Sequence, residues 1–451
     1  MRFLTLEKNA RFSNKQIILF LLPMFFEQLM MAGLNIADTF MVSSLGETAV
    51  AGVALVSRID NFVKQFILAL AQGGSVIMSQ YIGAKNDELS RTSLRNNIRI
   101  VILIGAVIMA FMVIFRPWVL NTLYGGAERD VLDVSLEYFN VTAYSYPLVA
   151  LYYAGSASFR AMGESKVPSI ASIAMMGINL ILKYTFIYKM NMGVMGAALS
   201  TLIAMATVGI AMFVGLHMKK NKVYLTGFFR PRVEGDNVGR ILKVSVPNGI
   251  EQGMFQLGAL LIAGLVSGLG TAAIAADSIA RTITGLIHSF GSGFAAVMMM
   301  VVGQCMGAGR PDEAKMYTKH ILKLDYILTF FNVLAVFAIM KCLISLYGVS
   351  AEAENFAFWI LVIYGTGSMI VYPTSFALAA ALRGTGDTKF VMVVASCSMF
   401  LFRIGAAYFF VYALNLGILG TWFAMVSDWV IRTIVFLVRF KRGKWQKNKV
   451  I

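Results

Sequence analysis

The chain has 451 residues, 58% of them hydrophobic and 14% charged. Soluble domains average about 45–50% apolar and about 25% charged, so a soluble globular enzyme and a disordered chain are both excluded. The net charge of +16 lies in the gaps between apolar runs, which makes a membrane, rather than nucleic acid, the partner of the basic residues. Cys305, Cys342 and Cys397 are too scattered for a disulfide framework or a CxxC site. Three histidines, His217, His288 and His320, do not suit a His-rich metal centre. No metal or cofactor is expected.

A helix crossing hydrocarbon needs about 20 mostly apolar residues. Twelve segments qualify: 17–43, 49–82, 100–118, 133–159, 167–188, 193–217, 241–267, 271–306, 323–346, 354–382, 390–412 and 416–438. The expected fold is an all-α polytopic membrane protein. The first segment is long, carries charges and lacks a small-residue cleavage site, so no cleavable signal peptide is expected. The terminal and even-numbered connections hold 29 Lys and Arg; the opposite loops hold 3, Arg116, Arg129 and Lys189. By the positive-inside rule both termini are cytoplasmic, as expected for a multi-pass protein of a plasma (inner) membrane.

The chain repeats itself. Pro23-x-x-x-Glu27-Gln28 recurs as Pro247-x-x-x-Glu251-Gln252, and Gln80-x-x-Gly83-Ala84 as Gln304-x-x-Gly307-Ala308, both 224 positions on. Leu123-Tyr124-Gly125 recurs as Leu346-Tyr347-Gly348. Arg160-Ala-Met-Gly163-Glu164-Ser165-Lys166 recurs as Arg383-Gly-Thr-Gly386-Asp387-Thr388-Lys389. Both of these lie 223 apart, and Gly193-x-x-Gly196 returns to 224 as Gly417-x-x-Gly420. Two six-helix bundles, 1–217 and 241–451, are expected, joined by a basic cytoplasmic linker, 218–240. Equal topology makes the repeat parallel, with a pseudo-two-fold axis along the membrane normal and a central cleft suited to alternating access. No GxxxxGK[ST] loop is present, so the chain does not use a Walker-type ATP site. Gly384-Thr-Gly386-Asp387 reads as a tight cytoplasmic turn.

A charge at mid-bilayer costs at least about 2.5–3.5 kcal/mol on insertion scales, so charges inside spans must face a cleft or one another. The basic ones are Arg58, Lys64, Lys183, Arg281, Lys341, Arg403 and Arg432; the acids include Glu27, Asp38, Asp60, Glu251, Asp277 and Asp428. Asp60 with Lys64, Asp277 with Arg281, and Asp428 with Arg432 are four apart and read as structural ion pairs on one helix face. Lys341, near a span end, can snorkel. Glu27 and Glu251 have no basic residue at i±3 or i±4, and each follows a proline by one turn. They read as cleft carboxylates able to hold a proton or a substrate cation, Glu251 together with Arg403 in the second half. The 28 Met and 33 Phe, with runs such as Met298-Met299-Met300, suit either a promiscuous pocket or lipid-facing filler.

Together the 6+6 spans, the Arg-Gly-x-Gly-Asp-Thr-Lys turn with its twin after the fourth span, Pro23, Asp38 and Gln80-x-x-Gly83-Ala84 resemble the multidrug and toxic compound extrusion (MATE) transporters, along essentially the whole chain. The resemblance implies a secondary antiporter, not an enzyme, that expels amphiphilic organic cations in exchange for H+ or Na+, in a prokaryotic membrane and as a monomer. It places Asp38, Asn179 and Thr201 in the N-lobe cation site, with Lys183 at a fourth position where the family carries an acid. It matches Glu251 to the seventh-span acid of many members. In the tenth span, Ile370-Val371-Tyr372 replaces an aspartate of some members, so their C-lobe site is incomplete here. A paired Asp38–Lys183 disfavours Na+ and points to H+ as the coupling ion. The alternative is a flippase of the same superfamily for an anionic lipid-linked substrate. A channel or a scaffold is disfavoured, since nothing marks a selectivity filter. The charge asymmetry predicts that protease added outside intact cells leaves 218–240 intact, while inside-out vesicles expose it to cleavage. Cleavage from outside would reverse the orientation.

Overall fold

The computed structural model describes residues 11–229, 235–448 and 450–451, and among these it is helical throughout, with no strand. The first half contains α1 (Asn14–Ser43), α2 (Glu47–Gly83), α3 (Asp87–Tyr124), α4 (Arg129–Thr142), α5 (Tyr146–Ala161), α6 (Lys166–Tyr184) and α7 (Gly193–Leu216). The second contains α8 (Gly235–Ser267), α9 (Thr271–Gly307), α10 (Pro311–Ser345), α11 (Ala351–Ile370), α12 (Tyr372–Gly384), α13 (Thr388–Cys397), α14 (Gly405–Tyr408) and α15 (Gly417–Lys441). A 3-10 turn, Ala143–Ser145, joins α4 to α5. π turns extend α6 (Thr185–Lys189) and link α13 and α14 onward (Ser398–Ile404, Phe409–Ala413). Taken as continuous rods, these elements follow the apolar segments predicted above. Eight of the described helices are long and apolar enough to cross a membrane, nine if α11 and α12, bent by 49° at Val371, count as one span.

Local chemistry sets the ends. Asn86 caps α3 by accepting from Leu89 N at 3.0 Å, and Ser350 caps α11 by accepting from Ala353 N at 3.3 Å. The repeated Arg-x-x-Gly turn closes α5 and α12 identically. Gly163 and Gly386 both stand at φ +87°, which a glycine adopts without strain. The next amide in each case reaches back to the last helical turn, Glu164 N to Phe159 O at 2.9 Å and Asp387 N to Leu382 O at 3.0 Å, a Schellman closure. The expected tight turn at Gly384–Asp387 is therefore present, and Arg439 from α15 holds its Asp387 carboxylate through two bonds of 2.8 and 3.1 Å.

The chain divides into two compact units: Leu22–Gly249, and the residues up to Leu21 together with Ile250–Ile451. The division falls inside α1 and α8, beside Pro23 and Pro247, rather than at the linker 218–240. Part of that linker belongs to the first unit and is docked there. Arg99 donates to the carbonyls of Phe228 (2.9 Å) and Gly227 (3.2 Å), and Arg91 lies 4.0 Å over the Tyr224 ring. Each unit has its own apolar core: one built around Val56, Ile67, Leu94, Phe139 and Tyr146, the other around Ala276, Val333, Ile360, Tyr372 and Trp429. Met298, Met299 and Met300 are buried, so this run is not lipid-facing filler, and Met299 packs against Gly384 of α12. Within the first unit α2 approaches α3 so closely at Gly74 that an added Cβ would fall inside the Asn97 amide, whose Nδ2 donates to Ala71 O at 3.3 Å. Gly74→Val is expected to lower stability by roughly 1–3 kcal/mol through overpacking. Thermal unfolding of the purified protein in detergent measures it.

Candidate functional site

In the first unit, buried polar side chains from several helices converge. Asn179 and Lys183 stand one turn apart on α6, with Thr201 facing them from α7 and Asp38 from α1. The Lys183 ammonium donates directly to Asp38 Oδ1. Its side chain is 3% exposed, while that of Asp38 is 32% exposed. With its amide turned to satisfy both neighbours, Asn179 donates to Asp38 Oδ1 at 3.1 Å, and its oxygen accepts from the Thr201 backbone N (3.2 Å) and hydroxyl (2.9 Å). Tyr138 of α4 lies beside the Thr201 hydroxyl, close to both Asp38 and Asp60. Asp60 of α2 accepts from Tyr146 Oη at 2.7 Å and lies 4.0 Å from Lys64. The expected four-residue set is therefore brought together, and it runs on through two tyrosines to a second acid–base pair. Its formal charges, Asp38 and Asp60 against Lys183 and Lys64, cancel.

The expectation that Glu27 and Glu251 are unpaired is overturned. Glu27 Oε2 accepts from Arg160 Nη2 at 3.3 Å and from Ser169 Oγ at 2.8 Å. In the other unit Glu251 accepts from Arg383 twice, at 2.5 Å from Nη2 and 3.3 Å from Nε. Arg160 and Arg383, counted above as loop charges, instead occupy the last turns of α5 and α12 and reach back across to α1 and α8. The physical reason is the cost of leaving a buried carboxylate alone; a search along one helix cannot find a partner on another. The signal was present, because each acid and each arginine belongs to a motif that recurs at nearly the same spacing.

Glu251 and Arg403 are not brought together as a pair. Arg403, buried on the π turn after α13, lies 5.4 Å over the Phe255 ring, one helical turn from Glu251. Of the predicted i,i+4 pairs, Asp277–Arg281 is close, at 2.6 Å, with Trp422 Nε1 also donating to Asp277 at 3.1 Å. Asp428 and Arg432 stand 3.9 Å apart, and the Ser398 hydroxyl is the direct donor to Asp428. Arg432 lies 4.9 Å over the Phe376 ring. Lys341 lies 5.7 Å over the Phe358 ring, four residues from the end of α10, as a snorkelling side chain would.

Removing one partner of a buried pair costs roughly 3–5 kcal/mol because the other charge is stranded. Arg383→Met should therefore destabilise the protein strongly. The double variant Glu251→Gln with Arg383→Met should be more stable than Arg383→Met alone. Thermal unfolding of the three variants tests this, and equal melting temperatures for the single and double variants would refute the pairing.

The MatE family model matches residues 23–185 and again 247–409, the second match displaced from the first by 224 positions at both ends. The chain is 25% identical over 450 residues to a probable multidrug resistance protein NorM of Thermotoga maritima, covering 97% of this chain and 94% of that protein. It is 21% identical over 443 residues to a probable multidrug resistance protein, YoeA, of Bacillus subtilis, covering 97% and 95%. Its fold is similar to that of a MATE crystallised in complex with MaL6, with a TM-score of 0.88 at 21% identity over 96% of this chain and 97% of the other. It is also similar to that of a MOP superfamily transporter from Pyrococcus furiosus, described as having a binding pocket of reverse polarity, with a TM-score of 0.87 at 21% identity and the same coverage. With both halves matched in order and at one displacement, the chain belongs to the MatE family and is a multi-pass membrane transporter, not an enzyme.

Proposed function

We propose that this transporter exports amphiphilic organic cations by alternating access, in exchange for protons, from a plasma membrane in which both termini are cytoplasmic. The names of its relatives from Thermotoga maritima and Bacillus subtilis support multidrug efflux. The observation that carries the choice of ion is the contact between Lys183 and Asp38. The ammonium occupies the position at which a bound cation would neutralise the carboxylate. Na+ entering that site would add an uncompensated positive charge in a largely buried setting, which is unfavourable. A proton instead removes the negative half of the pair and frees Lys183. Asn179, Thr201 and Tyr138 then re-form their hydrogen bonds around a neutral Asp38.

A second reading is a substrate of the opposite sign. Lys183 in the first unit and Arg403 in the second are buried cations, and the relative described as having reversed pocket polarity belongs to the same fold. On this reading the chain moves an anionic or zwitterionic amphiphile, in the manner of a flippase for a lipid-linked substrate.

Proteoliposomes carrying the purified protein separate these readings. Efflux of tetraphenylphosphonium should follow an imposed pH gradient and ignore a Na+ gradient at constant pH. Asp38→Asn should be severe, at roughly 3–5 kcal/mol, because it strands Lys183, and adding Lys183→Met should recover folding. A Na+ requirement that persists in Lys183→Ala would sink the pairing argument. Transport of an anionic amphiphile but not of the phosphonium would favour the second reading.

A further inference from the structure

The second unit holds a titratable group that none of the pairs above includes. Asp325, on α10, is 1% exposed. It accepts one hydrogen bond, from Thr329 Oγ1 on the next turn, at 3.2 Å. Among the described residues no Lys, Arg or His nitrogen comes within salt-bridge distance of it, in contrast to Glu27, Asp38, Asp60, Glu251, Asp277, Asp387 and Asp428, each of which has a basic residue within 4.0 Å. An ionised carboxylate is expensive to hold away from water without a partner; a protonated one is a neutral hydrogen-bonding group.

Its surroundings connect it to the break in the neighbouring rod. The peptide at Val371 leaves the helical path (φ −127°) where α11 gives way to α12, and such a break frees carbonyls that something else must satisfy. Tyr326, the residue after Asp325, donates to one of them, Ile370 O, at 3.0 Å, and also lies 2.6 Å from Thr374 Oγ1. Thr433 of α15 donates at 3.2 Å to Val371 O, which also keeps its helical bond from Ser375 N at 2.9 Å. Tyr372, the first residue of α12, and Tyr326 both lie within the electrostatic reach of Asp325. Tyr372 Oη lies 2.8 Å from His288 Nδ1 on α9, and Gly291 leaves room for its ring there. Among the described residues, Tyr364 of α11 and Arg432 of α15 also act on Tyr372.

We propose that Asp325 is a proton-binding site of the second unit, and that its charge state sets the hydrogen bonding of Tyr326 and Tyr372 at the α11–α12 break. A neutral Asp325 leaves both phenols to their present partners, Ile370 O and Thr374 for Tyr326, His288 for Tyr372. An ionised Asp325 is acceptor-only and competes for both hydroxyl protons, which takes Tyr326 from the Ile370 carbonyl and loosens the break. The proton leaves to water or to the Tyr372–His288 pair, whose imidazole nitrogen is the next acceptor. This inference rests on the reading of the chain as a proton-coupled transporter. It adds a second proton site, in the other unit from Asp38.

The test uses the full-length protein in lipid. Infrared difference spectra of the substrate-free protein across a pH titration should contain a protonated-carboxyl band that Asp325→Asn lacks and Asp325→Glu shifts. Tetraphenylphosphonium binding to the native protein should tighten as pH rises, by up to about tenfold per pH unit for each proton exchanged. That slope should fall by about one proton in Asp325→Asn and return in Asp325→Glu. Tyr326→Phe should leave the band in place while altering the pH dependence. A native protein without pH-driven efflux overturns proton coupling as a whole. A native protein with it, beside a folded Asp325→Asn variant of unchanged slope and unchanged spectrum, overturns the assignment of Asp325 alone. Should Asp325→Asn fail to fold, a band unmoved in Asp325→Glu has the same force.

Discussion

A carboxylate removed from water inside this bundle has two routes to stability: a cation brought close by another helix, or a proton. Most of the buried acids take the first route, and the architecture is arranged around it. Arg160 and Arg383 end α5 and α12 and extend to α1 and α8. Each ion pair thus ties the proline-bearing first helix of a repeat to the helix that closes its central turn. Each arginine stands three residues before the glycine of its turn, Gly163 or Gly386. The Schellman closure orients the last helical turn, and the arginine on that turn then has a fixed root from which to reach its acid.

Backbone groups obey the same constraint as side chains. Inside a bilayer no water is available to a carbonyl freed by a broken helix. The 49° bend between α11 and α12 is accordingly furnished with a hydroxyl donor, Tyr326, to the Ile370 carbonyl. The first unit uses a gentler device, the 3-10 turn at Ala143–Ser145, and there Ser145 Oγ donates to Thr142 O at 2.6 Å. In both units, then, a hydroxyl in an apolar segment serves a backbone carbonyl where the helix is interrupted.

Hydropathy located every rod, because the energy of transferring 20 apolar residues dominates where a helix lies. It did not locate the rod ends: α3 begins at Asp87 and α8 at Gly235, well before the apolar runs that start near 100 and 241, since the capping residues and charged first turns of a helix stand outside hydrocarbon. Spacing along one helix found Asp277 with Arg281, but it could not find Arg160 for Glu27, 133 residues away, where only the shared repeat carries the information. The group around Asp38 was legible through family resemblance, and the contact of Lys183 with it follows from an exchange of charge sign at one position. Asp325 lies two residues inside a predicted span, beside Lys323, where an apolar window passes over it. Nothing in the sequence near it indicates that α12 will break alongside.

The spacing of the repeat falls from 224 to 223 and then returns to 224, and the helices record where that return is made. From Lys166 to Gly193 the first half counts one position fewer than the second does from Lys389 to Gly417. The first of these rods contains one π turn and the second contains two. A single residue inserted into a regular α-helix would rotate every later side chain by about 100°, turning the lipid-facing stripe toward the core. A π turn absorbs the extra residue in one wide loop of backbone and returns the helix to phase. Arg403 sits on that turn. The extra position in this rod of the second half is therefore accommodated while the residues that follow keep their face.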